Sequence, residues 1–586
     1  MLHRPLPFFL AFLTSLSLTT CAQPAKPNPQ AASQPSASVQ PSGMIVLNRP
    51  VGQSPASAPQ SGNNSDQSAT LAAADRLLAS GKAADAQAKY QEVVNVNPGS
   101  VPAQVGLGRS LIMQTKLEEA QTALDAAVAI HADAPELWLT MGDLQFAQGK
   151  LADAERSYVK AQNLKRDDPA AYLGLARVYR AYSLYRRAYD NMKHAHELAA
   201  NDIPVQLLWF HSLPQAEQAP ALQAYLAEAK LNPQTTRVLQ QYLAFVKRNA
   251  DAPQHPCRLV SNVKETSTKL YAIPRSGTEL GASGIAVKLN NQELHLAVDT
   301  GATGVLLGRT TAERLGLPRL GYQPIMGMGE SGQTGGYLAV ANRIRIGDLE
   351  FEDCTVRVTD AATPVTGQDG LIGTDVFSAY LIDLDIPGAK LRLSPLPKRP
   401  DAPEAPAALQ TMHDNQQFET EGAGEKSAEF ILPKDAYVAP EMADWTKVYR
   451  FRNLLMVPTK VDDVGPMLFL LDTGSFANTL STRAAQQITQ LRSDPATHVT
   501  GLGGSVGKVY RADKATLQFG RYSQANQDIV TFDLSNMSRT AGTQVSGILG
   551  FNMLRILQVK IDYRDGLVDF LFDANRLPKQ IKLNKQ

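Results

Sequence analysis

At 586 residues and 44% apolar composition the chain can bury several cores, and its length alone suggests about four domains. A formal net charge of +1, from 57 basic and 56 acidic residues, gives no electrostatic reason to expect nucleic acid or an acidic partner.

His3 and Arg4 precede an apolar run, Phe8 to Leu18, that is too short to span a membrane as a mature helix. It reads as an export signal over residues 1–21. Leu18-Thr19-Thr20-Cys21 resembles a bacterial lipoprotein processing site, which makes Cys21 the lipidation candidate; ordinary signal cleavage nearby is the alternative. Both readings expect an exported protein of the periplasm or cell envelope, touching a membrane only through such a lipid. Residues 22–67 are rich in Pro, Ser, Ala, Gln and Asn and bury too little apolar surface to offset chain entropy, so a flexible tether is expected. Cys21 aside, Cys257 and Cys354 remain, and the sequence leaves open whether they pair or stay as buried thiols.

Residues 68–201 carry a period of 34. Ala86, Ala120, Ala154 and Ala188 fall in register, with Tyr90, Leu124, Tyr158 and Met192 four residues after them. Gly108, Gly142 and Ala176 sit twelve residues before three of those alanines, and Gly81-Lys82, Thr115-Lys116 and Gly149-Lys150 supply turns. Small residues where helices touch and larger ones filling the gaps resemble tetratricopeptide repeats, four in all. The resemblance implies a helical solenoid whose groove takes a protein partner or substrate. Residues 202–255 read as helices capping the array, with Trp209 a core residue.

The remaining chain holds a duplication. LAVDTGATG surrounds Asp299 and FLLDTGSFA surrounds Asp472, each an apolar run ending at Asp-Thr-Gly, as when a buried strand delivers one carboxylate to a tight turn. Glycine-rich turns begin 28 and 29 residues later, at Gly327 (GMGESG) and Gly501 (GLGGSVG). Leu371-Ile372-Gly373 and Ile548-Leu549-Gly550 follow, and Asp385 and Asp562 each lie 12 residues beyond that glycine. Both units resemble retropepsin-like aspartic protease lobes, over about Lys269–Leu396 and Val448–Asp573. The expected fold is therefore an all-α solenoid followed by two all-β lobes, 256–396 and 441–575, with a linker at 397–440 and a tail at 576–586. Strands are expected at 285–289, 294–298, 339–346, 354–358, 381–384 and 390–393, and at 455–461, 467–471, 515–519, 529–532, 559–563 and 567–572. Short helices are expected at 311–315 and 482–488.

The resemblance implies one active site shared by two lobes, and the separation of 173 residues favours pairing within one chain. Asp299 and Asp472 would be catalytic, Thr300 and Thr473 would lock the turns together, and Gly301 and Gly474 would permit close backbone approach. Hairpins carrying Gly327, Gly329, Gly501 and Gly503 would act as flaps, with Gly373 and Gly550 structural. The fourth motif position is Ala302 in one lobe and Ser475 in the other. A hydroxyl there could donate to the carboxylate, so Asp472 is expected to be the more often ionised. His194 and His196 lie on opposite sides of a helix, no other pair has metal-ligand spacing, and neither metal nor cofactor is expected. GMGESG leads into an alternating strand pattern and Gly503–Gly507 follows polar residues, so dinucleotide and serine-hydrolase readings of these glycines give way to flaps. The expectation is an aspartic endopeptidase acting on a peptide or protein; the alternative is an inactive peptide-binding scaffold.

Overall fold

The computed structural model describes residues 64–250, 255–276, 279–360, 368–400 and 433–576. The signal segment, Cys21, nearly all of the tether, most of the linker and nearly all of the tail fall outside them.

The first part is a helical array. Paired helices run from Asn64–Ala79 through Tyr185–Leu198, and Ile203–Ser212, Gln215–Glu228 and Pro233–Ala250 follow as the cap. The 34-residue period has a backbone cause as well as a packing one. Gly81, Thr115, Gly149 and Ser183 are spaced by that period and all have positive φ, which turns the chain sharply from one helix of a pair into the next. Ala86, Ala120 and Ala154 are completely buried, and a Cβ on Gly142 would stand 2.6 Å from the Tyr158 ring, so small residues set the helix spacing. Trp209 is buried in the cap, stacked on His196 at 5.0 Å.

The two lobes are sheets of the expected kind. Asn290 and Asn291 both take positive φ in the two-residue turn joining Glu279–Leu289 to Gln292–Asp299, as a right-twisted hairpin requires. In each lobe the strand leading to the Asp-Thr-Gly pairs in parallel with the apolar-apolar-Gly element: Asp299 lies opposite Gly373, and Asp472 opposite Gly550. Cys257 and Cys354, left open by the sequence, form a disulfide across a separation of 97 residues.

The lobes pair within one chain. A six-stranded sheet runs through strands of both, with Tyr380–Asp385 antiparallel to Leu557–Asp562 at its middle. The duplicated aspartates end those two strands and have diverged. Burial pushes the Asp385 carboxyl up, but Arg576, the Gly388 N–H and Arg392 outweigh it and hold it below the usual range. Asp562 is fully buried, has Asp565 beside it, and is pushed up to about 7. Because its folded pKa exceeds its unfolded value, Asp562 contributes stability below about pH 4, and this is lost as pH rises through 7. Asp562→Asn is expected to match the parent in acid and to gain on the order of 2–4 kcal/mol on it by pH 8. Thermal melts of both proteins from pH 5 to 8 check this; a difference that does not grow with pH removes the assignment.

The array and the second lobe share a core. Leu139, Phe146, Leu151, Tyr158, Leu175 and Val178 of the repeats pack in one cluster with Phe451, Met456, Leu468, Phe532 and Ile548. Arg450 donates to the Tyr185 hydroxyl and to Tyr563 O, both at 2.6 Å. The end of the linker is docked too, with Ala436 N–H donating to Ser183 O at 2.9 Å.

Candidate active site

Each catalytic-type turn is held by its own backbone. Gly301 N–H donates to Asp299 Oδ1 at 2.8 Å, and Gly474 N–H to Asp472 Oδ1 at 2.8 Å. The two turns are then locked to one another. Thr300 Oγ1 donates to Leu471 O at 2.8 Å and Thr473 Oγ1 to Val298 O at 2.9 Å. Each hydroxyl also accepts the opposite threonine's N–H, at 3.1 and 3.0 Å. Four bonds in a fully desolvated setting fix the relative position of two strands from different lobes.

The lock brings the carboxylates together. Asp299 and Asp472 are hydrogen-bonded to each other across the pseudo-twofold. A Cβ on Gly301 would lie 2.8 Å from Asp472 Cγ, and one on Gly474 would collide with Asp299, so both positions need a bare backbone. Burial raises both carboxyls above the ordinary range, and Asp472 rises further because the Asp299 charge opposes its own.

Here one expectation is corrected. The hydroxyl of Ser475 makes no hydrogen bond to Asp472; its backbone N–H does, at 3.0 Å. Asp299 accepts one backbone N–H, from Gly301, and Asp472 accepts two, from Gly474 and Ser475. The hydroxyl on which the preference for an ionised Asp472 rested is thus not engaged with that carboxylate. Ala302→Ser is accordingly expected to leave the pH profile of any activity within about 0.3 unit of the parent. A pH titration of the variant showing a larger displacement would restore the role of the hydroxyl.

The glycine-rich turns are hairpins whose tips pair. Ile325–Met326 and Gln333–Thr334 form the first, and Thr500–Gly501 with Gly504–Ser505 the second. Gly503 N–H donates to Met328 O at 2.7 Å, and Glu330 N–H to Ser505 O at 3.1 Å. Gly327 and Gly501 meet the opposite tip too closely for a side chain, and Gly329 has φ of 134°. Leu502 of the second tip packs with the apolar cluster that includes Ala302, beside the first turn.

Asp375 was not singled out from the sequence. Its carboxylate accepts Gly304 N–H at 2.9 Å and, from the other lobe, Asn453 Nδ2 at 2.8 Å. The signal was there: Asp375 and Asn552 both stand two residues after the structural glycine.

With this geometry in hand, the chain can be compared with known proteins. A family model described as aspartyl protease matches residues 285–376 and 457–553. Each lobe carries one of the two matched segments. A tetratricopeptide repeat model matches residues 77–144. DNA damage-inducible protein 1 of Kluyveromyces lactis is 27% identical over 173 residues, 28% of this chain and 40% of that protein, so the match spans well under half of the relative. Among solved structures, an aspartic proteinase from Irpex lacteus is 11% identical, with 53% of this chain and 98% of that one covered at a TM-score of 0.30. A thermophilic tetratricopeptide protein of Thermus thermophilus is 22% identical, covering 25% and 81% at a TM-score of 0.24. PilF of Pseudomonas aeruginosa is 16% identical, covering 32% and 87% at 0.25. The aspartyl protease segments together bracket both Asp-Thr-Gly turns and both paired hairpins.

Proposed function

We propose that the chain is an aspartic endopeptidase with one active site built from Asp299 and Asp472. The observation that carries this reading is the pair of half-buried carboxylates, hydrogen-bonded to one another on locked turns, because two such groups share one proton at neutral pH. Asp299 takes a proton from a water as its oxygen attacks the scissile carbonyl carbon. Asp472 gives its proton to the carbonyl oxygen, producing a tetrahedral diol. On collapse the C–N bond breaks, the amine nitrogen takes a proton from Asp299, and a diol proton returns to Asp472. The paired hairpins exclude bulk water around an extended peptide.

Recruitment of substrate or partner by the repeats falls in this reading to the first two repeats, since the helices from Leu139 to Val178 are engaged with the second lobe. The disulfide supports an exported location, because such bonds persist in oxidising compartments. The test is cleavage of a mixed peptide library followed by mass spectrometry across mildly acidic to neutral pH. Cuts at defined bonds support the endopeptidase; retention of peptides without a cut at any pH supports the binding scaffold instead.

A further inference from the structure

The first flap is held from a third side, by a residue of neither flap. The helix Ser535–Ala541 of the second lobe places Asn536 beneath the flap turn. Asn536 Nδ2 donates to Gly329 O at 2.9 Å and to Glu330 O at 3.0 Å. The orientation of this amide is not arbitrary: its Oδ1 accepts from the Arg539 guanidinium, so the NH₂ group must face the flap. Met328 at the flap tip, and Met537 and Ala541 of the same helix, each pack against the core that the second lobe shares with the repeats.

The other end of this short helix is fastened to the array. It stops at Gly542, in the left-handed conformation, and the chain turns directly onto the helix Pro135–Ala147. Thr543 Oγ1 donates to Phe146 O at 2.7 Å and Gln544 N–H to Ala147 O at 2.8 Å. These carbonyls belong to the last turn of a helix, and Phe146 O also accepts the Gly149 N–H at 3.0 Å. A run of nine residues thus connects a repeat helix to a flap turn with hydrogen bonds at both ends.

We propose that Asn536 is a positioning residue that latches the first flap closed, and that the repeat array sets the stiffness of this latch through Thr543 and Gln544. Since the two tips are paired, releasing one releases both. The inference rests on reading the hairpins as flaps, but its test does not require cleavage.

The test is amide hydrogen exchange of the full-length protein, read over residues 325–334 and 500–506. Asn536→Asp keeps the shape, removes both donors and sets a carboxylate against two carbonyl oxygens. Asn536→Ala removes the donors without adding charge. Both are expected to speed exchange of the Glu330, Ser331 and Gly503 amides by about tenfold or more, with Pro135–Ala147 unchanged. Thr543→Val, which loses one anchor, is expected to speed the same amides about threefold. Where peptide cleavage is measurable, the Asn536 variants should raise KM with kcat little changed, as loss of closure does and general destabilisation does not. Unchanged flap exchange in Asn536→Ala overturns the latch. Faster exchange in both Asn536 variants but not in Thr543→Val overturns the link to the array. A peptide library left uncut while the flap amides respond as expected sinks the endopeptidase reading and supports the latch.

Discussion

Asp299→Asn and Asp472→Asn are each expected to reduce peptide cleavage by at least about a thousandfold, and neither should unfold the protein. The two carboxylates act as a unit, so either substitution removes the shared proton or the base that receives it. The consequence for stability has the opposite sign. Burial raises both folded pKa values above the unfolded value, so the pair favours the fold below about pH 4 and that advantage is lost as pH rises through the raised values. An amide at either position carries no charge to desolvate and relieves the repulsion on its neighbour. Each variant should therefore melt at or above the parent temperature at pH 7 to 8 while failing to cut. The combination matters, because lost activity accompanied by a lower melting temperature would point to misfolding in place of chemistry. The same shifts set the activity profile of the parent. In the proposed mechanism the basic limb belongs to loss of the shared proton and the acidic limb to protonation of the second carboxylate, both displaced upward from ordinary carboxylates.

The second large effect is expected at the lock. Thr473→Val keeps volume and β-branching but deletes one hydroxyl, leaving Val298 O without its donor and Thr300 N–H without its acceptor. Both groups are inside the interface between the lobes. Stranding them should cost about 2–4 kcal/mol, and Thr300→Val should do the same by symmetry. Thr473→Ser preserves the hydroxyl and should recover most of the loss. Denaturant midpoints of the three variants decide this. A Ser midpoint below that of Val would show that the methyl and not the hydroxyl carries the contact. Since the lock sets the separation of the carboxylates, the Val variants should also lose activity out of proportion to the fraction unfolded.

How much was readable beforehand depended on whether a residue's role is local. Ala86, Ala120 and Ala154 announce a helical array because close helix contact needs a small side chain at each recurrence of the period. Asp299 and Asp472 announce themselves by matched surroundings. The short strands Val305–Gly308 and Thr479–Ser481 did not, because four or three residues hold too little periodicity to register. The polar stretch at the start of Tyr522–Phe532 lacks apolar alternation and was expected only from Ile529 onward. Pairing along the whole of Val509–Phe519 makes it a strand, a tertiary cause invisible in its own residues. Asp562 and Asp385 look equivalent in sequence, and their chemistry is separated by Arg576, Arg392 and the Gly388 N–H around one and by burial and Asp565 around the other. The role given to the Ser475 hydroxyl failed for a related reason. It assigned to a side-chain hydroxyl a task that the backbone N–H performs in both lobes.

The core shared by the repeats and the second lobe sets an order of events during synthesis. Leu139, Phe146 and Val178 leave the ribosome long before Phe532 and Ile548, the residues that cover them. With about 370 residues in between, the apolar side of the array stays uncovered for roughly 20 to 70 s at typical elongation rates. A nascent chain in that interval presents a folded solenoid with a bare hydrophobic flank, the kind of surface that holding chaperones grip. The first lobe is synthesised meanwhile, with one Asp-Thr-Gly turn and one flap and no partner for either. Assembly of the carboxylate pair is therefore the last step of folding, and a chain stalled before the second lobe would hold only one of its two members.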